Sequence, residues 1–412
     1  MDILYAICCG LDVHKDTVTA CLRRRAADGG VTKTLRTFGT MTAELLTLLD
    51  WLVEAGCTHV AMESTGSYWR PVFNLLEGSV AQVLVVNAHH VKGLPGRKKD
   101  TLDAEWLAEL LQHGLLRGSF IPPAPLRELR EATRYRKQLI RTRADEANRI
   151  QKLLEGANVK LGSVATDILG VSGRAMLAAL VRGETDAAAL AGLAKGRLRK
   201  KQPQLVAALT GRITPDQRAL LGHQLTHVEF LDQAIATLDT HIARLMAPYQ
   251  EAAERLRTVT GIEQRTAEAV IAELGVDMGV FPTAHHCASW AALCPGHHES
   301  AGRRRSGKTR KGNKWLRTAL LEAAWAASRT QTYLGAQYRR LAARRGKKRA
   351  AVAVAHSILV RAYHILKDGT TYRELGHDFL DKLQGAKLQR RLIARLEALG
   401  LKVTVEPLPQ AA

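Results

Sequence analysis

The chain is poor in cysteine and has no long apolar segment. Its 412 residues include six cysteines, and none of them forms a C-x-x-C pair. A disulfide framework is therefore not expected, and this cysteine usage is typical of a reducing compartment. No apolar run approaches the roughly 20 residues of a membrane span, and the N-terminus lacks the basic and apolar segments of a secretory signal. We therefore expect a soluble, cytoplasmic protein.

Acidic residues are outnumbered by basic ones. Lys and Arg total 60 against 39 Asp and Glu, which gives a formal net charge of +21 and an isoelectric point near 10.0. Such an excess predicts a polyanionic partner, with nucleic acid first and an anionic membrane second. We expect nucleic acid rather than a membrane, and therefore an association with the nucleoid.

Acids are absent between Ala301 and Thr318, where basic residues are crowded. Ser300 precedes this segment in a Gly-rich turn, and glycine permits close approach of the backbone to a ligand. Clustered guanidinium and ammonium groups neutralise phosphates. The segment therefore suits a serine that attacks a phosphodiester, although a solvated basic loop has the same composition. The candidate nucleic-acid-binding residues are Arg303, Arg304, Arg305, Lys308, Arg310, Lys311, Lys314 and Arg317.

Histidine and cysteine are also crowded just before this segment, over residues 285–298. Their spacing fits none of the familiar structural zinc sites. The cluster predicts either an unusual zinc site or, more simply, the polar residues of a half-buried loop. Its members are His285, His286, Cys287, Cys294, His297 and His298.

The first 120 residues show strand patterns followed by an alternation of helix and strand. Three strands followed by such alternation is the element order of the RNase H-like fold. The predicted strands cover 6–13, 17–22, 31–38, 59–62 and 82–86, and the predicted helices cover 42–55 (with Thr42 as N-cap), 68–76 and 100–111.

Four acids fall at the ends of these elements. Asp12 lies at the end of the first strand, Glu63 follows the fourth, and Asp100 and Asp103 open the last helix on one face. Carboxylate oxygens are the ligands that Mg²⁺ prefers, and two ions about 4 Å apart can hold both oxygens of a displaced phosphodiester. Each acid alone is also explained as a turn residue, a surface acid, an N-cap or a first-turn acid. Together they predict a magnesium site.

The middle of the chain is predicted to be helical and basic. A Pro-rich stretch over 121–125 precedes a basic helix over 126–155, and a further Lys- and Arg-rich segment covers 187–209. From Val228 to Leu245 apolar residues recur at steps of three and four, which predicts a coiled-coil seam. The seam could pair with the 126–155 helix, join two protomers, or be the face of an ordinary amphipathic helix. The basic faces would suit phosphate contacts.

The last third contains a predicted helix–turn–helix element around Gly261. Residues 256–275 predict two helices joined at this glycine, a helix–hairpin–helix that presents backbone N–H groups to phosphate. A helix is expected over about 313–328. A second basic run, 339–349, is predicted to precede an apolar helix over 350–365.

Four motifs together resemble the insertion-sequence-110 family of DEDD transposases, relatives of the Piv-type invertases. They are CGLDVHKD, AMESTGSYW, GRKKDTLDAEWLA and LCPGHHESAGRRRSGKTRKGNKWLR. The resemblance covers roughly residues 6–115 and 255–365. It implies an α/β part followed by an all-α part. The implied domains are a RuvC-like RNase H-fold domain (1–120), a helical coiled-coil region (121–255), a mostly α-helical transposase domain with a helix–hairpin–helix and the catalytic serine (256–370), and a C-terminal tail (371–412).

The resemblance also implies a chemistry for individual residues. Asp12, Glu63, Asp100 and Asp103 would form the DEDD tetrad that holds Mg²⁺. Ser300 would be the nucleophile that forms a phosphoserine with DNA, since its Glu-Ser-Ala-Gly context matches the family better than the context of the rival Ser306.

The resemblance further implies recombination of donor and target DNA under the guidance of a structured bridge RNA. The expected partners are therefore both DNAs, that RNA and further copies of the chain, as a dimer or tetramer. Because about 200 residues separate the tetrad from Ser300, the two could come from different protomers.

Two other functions fit the same residues. A RuvC-like metal-dependent nuclease or resolvase would use water, with Ser300 only structural, and would leave no protein–DNA adduct. A non-enzymatic nucleic-acid-binding protein with a decayed tetrad would lack metal-dependent cleavage, and the presence of all four acids argues against it.

Overall fold

The computed structural model describes residues 2–64, 66–87, 91, 103–296, 298–310, 312–383 and 385–406. The chain forms two compact units, Met1–Ile121 and Pro122–Ala412. Within the described residues, no helix combines the length and the apolar character that crossing a membrane requires.

A five-stranded sheet organises the first unit. Its strands are β1 (Ile7–Val13), β2 (Thr17–Arg25), β3 (Val31–Gly39), β4 (His59–Glu63) and β5 (Gln82–Val86). They lie in the order β3-β2-β1-β4-β5. The first three are antiparallel neighbours, and β4 and β5 extend the sheet in parallel. This mixed topology is compatible with the RNase H-like fold that the element order predicts.

Helices cover both faces of this sheet. They are α1 (Thr42–Glu54), α2 (Trp69–Leu76) and α3 (Asp103–Gln112). α1 and α2 pack on one face through residues such as Leu48 and Phe73, and α3 packs on the other through Ala104. Met41 occupies the N-cap position of α1 and Thr42 is its first helical residue, so the predicted N-cap is wrong by one position.

α3 lies directly against β1 because that strand has a glycine at the contact. A Cβ atom on Gly10 would lie 2.3 Å from the Ala104 carbonyl oxygen and 2.4 Å from the Ala108 nitrogen. Ahead of β1, the Leu4 N–H donates to the carbonyl oxygen of Gln112, the last residue of α3, at 2.9 Å. α3 therefore runs opposite to β1, and its N-terminus lies toward the carboxyl end of that strand.

The second unit is built mainly from helices. They are α4 (Ala124–Gly156), α5 (Leu161–Val164), α6 (Val171–Val181), α7 (Ala187–Gly192), α8 (Gln202–Leu209), α9 (Pro215–Met246), α10 (Gln250–Arg257), α11 (Gln264–Leu274), α12 (Ala284–Trp290), α13 (Lys314–Ala327), α14 (Tyr333–Arg345), α15 (Lys347–Asp368), α16 (Phe379–Leu383) and α17 (Gly385–Glu397). Short 3₁₀ helices cover Gly196–Lys201, Ala247–Tyr249 and Met278–Val280. A hairpin of β6 (His298–Ser300) and β7 (Arg303–Ser306) lies between α12 and α13 in the chain.

The long helices α4 and α9 form an antiparallel pair. Arg136 of α4 bonds to Asp239 of α9 at 2.8 Å, and Arg143, further along α4, bonds to Asp232, which comes earlier in α9. Buried seam residues of α9 include Val228, Leu231, Ile235 and Ile242. The partner is thus the helix predicted over 126–155, within the same chain, while a regular coiled-coil supercoil stays a prediction.

A separate apolar core fills residues 157–209, between the two long helices in sequence. Leu161, Leu177, Leu190 and Leu205 are buried there together with Ile150 of α4. The basic segment predicted over 187–209 is divided into α7, a 3₁₀ helix and α8. Its exposed cations are Lys195, Arg197, Arg199, Lys200 and Lys201.

Most cations of α4 bond to groups within the protein. Their partners lie on α9, α11 and α13, on α4 itself and just before it in the chain. These cations are Arg127, Arg130, Arg134, Arg136, Lys137, Arg143 and Arg149. Much of the basic pattern of this helix therefore serves contacts within the protein, while phosphate contacts on its basic faces stay a prediction.

The turn between α10 and α11 faces the protein interior. Gly261 has a φ of +93°, and a Cβ atom on it would lie 2.3 Å from the Ala323 carbonyl oxygen of α13. Its neighbours Val259 and Ile262 are buried. Close packing on α13 thus explains the glycine, and a phosphate-binding helix–hairpin–helix stays a prediction.

Glu273 is a buried carboxylate where α4, α11 and α13 meet. Only 2% of its side chain is exposed, and its oxygens accept hydrogen bonds from Arg134 at 2.7 and 2.8 Å. Arg130 lies 3.3 Å from the same carboxylate. The Asn313 amide donates to it at 2.6 Å, while the carboxamide oxygen of Asn313 caps α13. One carboxylate therefore joins two helices to the cap of a third.

We expect Glu273→Ala to destabilise the second unit, because two partly buried guanidinium groups then lose their counter-ion. The expected loss in free energy of unfolding is about 3–5 kcal/mol, measured by urea denaturation. Glu322→Ala is the control, since Glu322 pairs with Lys137 at the surface and such pairs contribute less than about 1 kcal/mol. Equal losses in the two variants would contradict this role for Glu273.

We expect Gly10→Ala to push α3 away from the sheet, since the added methyl group overlaps the helix backbone. The expected loss of stability is about 1–3 kcal/mol, measured by thermal unfolding. Gly156→Ala is the control, because the space around that helical glycine is open and alanine is up to about 1 kcal/mol more favourable in a helix. A Gly10→Ala protein as stable as the unsubstituted protein would show that the contact can relax at no cost.

Candidate functional site

Three acids of the predicted tetrad lie toward one end of the sheet. Asp12 is in β1 and Glu63 is the last residue of β4. The parallel register pairs Leu11 with Met62, so the next step brings Asp12 beside Glu63, at a strand spacing of about 4.8 Å and on the same face. Asp103 is the first residue of α3, whose N-terminus lies toward this end.

Asp12 has a neighbour of its own. Nε2 of His14 lies 3.1 Å from Oδ2 of Asp12, and 29% of the Asp12 side chain is exposed. Across the described part of the chain, no three His, Cys, Asp or Glu side chains form a group that could hold a metal ion. Asp100 lies outside the described residues. The carboxylate oxygens are chemically suited to Mg²⁺, so the donor set fits the ion, while the metal site itself stays a proposal.

Ser300 lies at the tip of the β6–β7 hairpin. The sequence predicts a Gly-rich turn at this position but not the two strands that flank it. Ala301 and Gly302 both have positive φ angles, 51° and 71°, as a type I′ turn requires. Ser300 pairs with Arg303 across this turn, so their side chains share one face, and both residues are exposed. The hairpin therefore presents a hydroxyl group beside a guanidinium group.

Ser306, the rival serine, lies at the other end of the hairpin. Its Oγ accepts a hydrogen bond from the Lys308 N–H at 3.2 Å. A register shift between His298 and Glu299 interrupts the pairing and leaves Arg305 without a paired residue on β6. The two serines thus differ in setting, since Ser300 flanks the turn and Ser306 contacts the backbone that follows β7.

Six cationic side chains line one groove of the second unit, which has a volume of 1190 Å³ and is here called the cationic groove. Two come from the hairpin and the loop after it, one from α13, one from the end of α14 and two from the first turn of α15. They are Arg305, Lys308, Arg317, Arg345, Lys348 and Arg349. Ser306 also lines the groove, and no acidic residue does so among those that the structure describes.

The other predicted nucleic-acid-binding residues are elsewhere. Nη2 of Arg310 donates to Ser289 Oγ at 2.6 Å, and the ammonium of Lys314 lies 5.1 Å from the ring centre of Trp315. The side chain of Arg304 and all of Lys311 lie outside the described residues. The predicted basic set is therefore divided between the groove, the hairpin tip and contacts within the protein.

Arg345, Lys348 and Arg349 have no role predicted from the sequence. They belong to the basic run 339–349, which is the sequence feature that could have identified them. The run is predicted to precede the apolar helix, but α15 begins at Lys347 and includes the last three basic residues in its first turn. The groove arises because this first turn packs in space near residues 305–309, which the sequence separates from it by about 40 positions.

The His and Cys cluster over 285–298 gives no support to a zinc site. Burial raises the pKa of the Cys287 thiol to about 12, and burial also raises the pKa of Cys294, against the opposing effect of Arg310. A bound zinc ion would itself deprotonate coordinating thiols, so these pKa shifts leave the zinc site a prediction. His297 and the His298 side chain lie outside the described residues, and the remaining members form no metal-binding group of three.

Comparison with known families assigns both parts of the chain. Residues 9–159, which span all four acids of the predicted tetrad, match a family model for transposases of the DEDD type from IS110 elements. Residues 253–339, which span Ser300 and much of the cationic groove, match the model described as the IS116/IS110/IS902 family of transposases. No curated protein matches the chain. The two models together match more than half of the 412 residues. The chain belongs to the IS110 family of transposases and is a DNA transposase.

Proposed function

We propose that this transposase cuts and rejoins DNA through a covalent phosphoserine intermediate. Asp12, Glu63, Asp100 and Asp103 of a RuvC-like first unit would hold Mg²⁺, and Ser300 would be the nucleophile. The observation that supports this most is the strand register and helix direction that bring three of these carboxylates toward one end of a sheet. The hairpin adds an exposed hydroxyl group beside a guanidinium group.

In this proposal the carboxylates bind Mg²⁺ and fix its position. Asp12 and Glu63 present oxygens from adjacent strands, and Asp103 presents its oxygens from a helix N-terminus, where the helix dipole favours a negative charge. When bound, Mg²⁺ supplies Lewis-acid stabilisation of negative charge on the phosphate oxygens. His14 contacts Oδ2 of Asp12, so movement of that imidazole would free the oxygen for a ligand.

Ser300 would attack the phosphorus atom of a phosphodiester. The Oγ–P bond forms as the bond from phosphorus to one deoxyribose oxygen breaks, the serine proton is lost to a base, and the departing oxygen takes up a proton. The reverse step, with a hydroxyl group of another strand, rejoins the DNA. Because one phosphoester replaces another, no external energy source is needed. Arg303, opposite Ser300, would stabilise the charge that develops on the transferred phosphate.

We further propose that a structured bridge RNA guides the enzyme and that it acts as a dimer or tetramer on donor and target DNA. The exposed cations of residues 195–201 offer RNA phosphates a surface outside the cationic groove. The carboxylates and the serine could come from different protomers, as their separation in the sequence allows. The alternative, a nuclease that uses water, would cut DNA without forming an adduct.

We expect Ser300→Ala to abolish the covalent protein–DNA adduct and Ser306→Ala to retain it, because only Ser300 lies beside Arg303 at the hairpin tip. Labelled DNA with the ends of the element, the RNA encoded beside the gene and Mg²⁺ would be incubated with each variant. The adduct would be read on a denaturing gel. An adduct that persists in Ser300→Ala and is lost in Ser306→Ala would show that Ser306 is the nucleophile. Cleavage by the unsubstituted protein without any adduct would favour the nuclease.

We expect Glu63→Gln and Asp103→Asn each to slow adduct formation at least about 100-fold. Loss of one ligand removes several kcal/mol of charge stabilisation, and about 1.4 kcal/mol corresponds to tenfold in rate. EDTA should abolish the reaction of the unsubstituted protein. Asp28→Asn is the control, because the Asp28 carboxylate accepts the Gly30 N–H in the turn between β2 and β3. Adduct formation that survives EDTA and both ligand substitutions would rule out the metal site.

A further inference from the structure

No carboxylate among the described residues neutralises the positive charge of the cationic groove. None of its six cations forms an ion pair with a carboxylate among the described residues, whereas the arginines of α4 are mostly paired. Burial, and then the neighbouring His285, lower the pKa of His356, which also lines the groove. That imidazole is therefore neutral at pH 7, and the charge comes from Lys and Arg. Like charges that converge on a concave surface repel one another and focus a potential that attracts anions.

The first turn of α15 adds to this potential. Lys347, Lys348 and Arg349 lie at the positive end of the helix dipole, where cations are unfavourable. Gly346 occupies the N-cap position, and within the described residues no side chain caps this end. The first backbone N–H groups of a helix have no acceptor inside it. A phosphate at this position would accept from those groups and offset the repulsion between the cations.

The cations of the groove lie on two sides of it. Lys348, Arg349, Val352, Ala353 and His356 recur on one face of α15 and form one side. The opposite side comes from residues 305–309 of the hairpin and its loop. A polymer with several phosphates can contact cations on both sides at once, which a single small anion cannot.

β7 connects the groove to the hairpin tip. From Arg303, which pairs with Ser300, to Ser306, which lines the groove, there are three residue steps of about 3.3 Å, or roughly 10 Å. Successive phosphates of one DNA strand lie at least about 3.4 Å apart, which is the rise of the duplex per base pair along its axis. A backbone that follows β7 would therefore enter the groove at most about three nucleotides from the phosphate at Ser300.

We propose that the cationic groove binds the backbone of the DNA strand that is cut, within about three nucleotides of the phosphodiester attacked by Ser300, with Arg345, Lys348 and Arg349 as phosphate-binding residues. This inference rests on the proposed function in taking Ser300 as the point of attack. DNA is favoured over RNA as the occupant because the hairpin that carries the nucleophile also forms one side of the groove.

The first test measures binding without chemistry. The full chain with Ser300→Ala would be compared with and without the triple substitution Arg345→Gln, Lys348→Gln and Arg349→Gln, with a 30-base-pair DNA duplex as the probe. Each lost phosphate contact should reduce the slope of log K against log salt concentration by about 0.9, so the triple variant should lose about 2–3. Its thermal midpoint should change little, because Lys348 and Arg349 are unfavourable at the start of α15, whereas Arg345 is favourable at the end of α14.

A second triple variant controls for net charge. Arg390→Gln, Arg391→Gln and Arg395→Gln remove the same charge from exposed positions of α17 and should leave the slope within about 1 of the parent. An equal loss of slope in both triple variants would overturn the proposal. So would a loss that appears with a single-stranded RNA probe and not with the DNA, since RNA would then be the occupant.

The position along the DNA is tested with neutral methylphosphonate linkages placed one at a time from the first to the sixth phosphate on each side of the attacked bond. With Ser300 intact, adduct yield should fall most at one of the first three positions on one side, and the groove triple variant should be insensitive there. A uniform response would contradict the register. Absence of any adduct would refute the proposed function, whereas the salt slope of the Ser300→Ala protein would still support or overturn binding of DNA in the groove.

Discussion

The ion pairs and hydrogen bonds of the buried Glu273 carboxylate hold α4, α11 and the N-terminus of α13 together in the second unit. A carboxylate away from water is unfavourable unless charged and polar partners surround it, and here Arg130, Arg134 and Asn313 do so. Asn313 is at the same time the N-cap of α13, and it follows the hairpin in the chain. A two-stranded hairpin is marginally stable by itself. Its downstream end is thus anchored where α4 and α11 meet, which restricts the positions available to Ser300.

The second unit contains two populations of basic residues that composition alone does not separate. Those of α4 are mostly held by acids of α9, α11 and α13 and serve as cross-links. Those of the cationic groove have no carboxylate partner among the described residues. The net charge of +21 therefore does not attract a polyanionic partner equally over the whole surface, because paired guanidinium groups contribute little to the electric field outside the protein.

In the first unit, Gly10 determines how closely α3 packs on the sheet. Gly10 lets the backbone of α3 approach β1 closely, and the helix then runs back along the strand. Asp103 is thereby brought toward the end of the sheet where Asp12 and Glu63 lie on adjacent parallel strands. The acids are far apart in sequence, and a close backbone contact that involves none of their side chains brings them together.

Regular elements with strong apolar patterns could be predicted from the sequence. β5 has the predicted bounds, and the heptad of α9 has its partner in the helix predicted over 126–155. The β6–β7 hairpin could not be predicted, because its strands are short and polar and its turn places an alanine at positive φ. Gly261 suggested a phosphate-binding turn, yet the glycine is required by the approach of the Ala323 carbonyl group.

Order and composition are local properties of the chain, and they are enough to show that acids follow two strands and open a helix and that cations crowd around Ser300. Which of the described cations are paired depends instead on the packing of distant segments, because pairs such as Arg136 with Asp239 join residues about 100 positions apart. The same packing makes the start of α15 one side of the groove. Such contacts depend on how helices pack, and no local pattern encodes them.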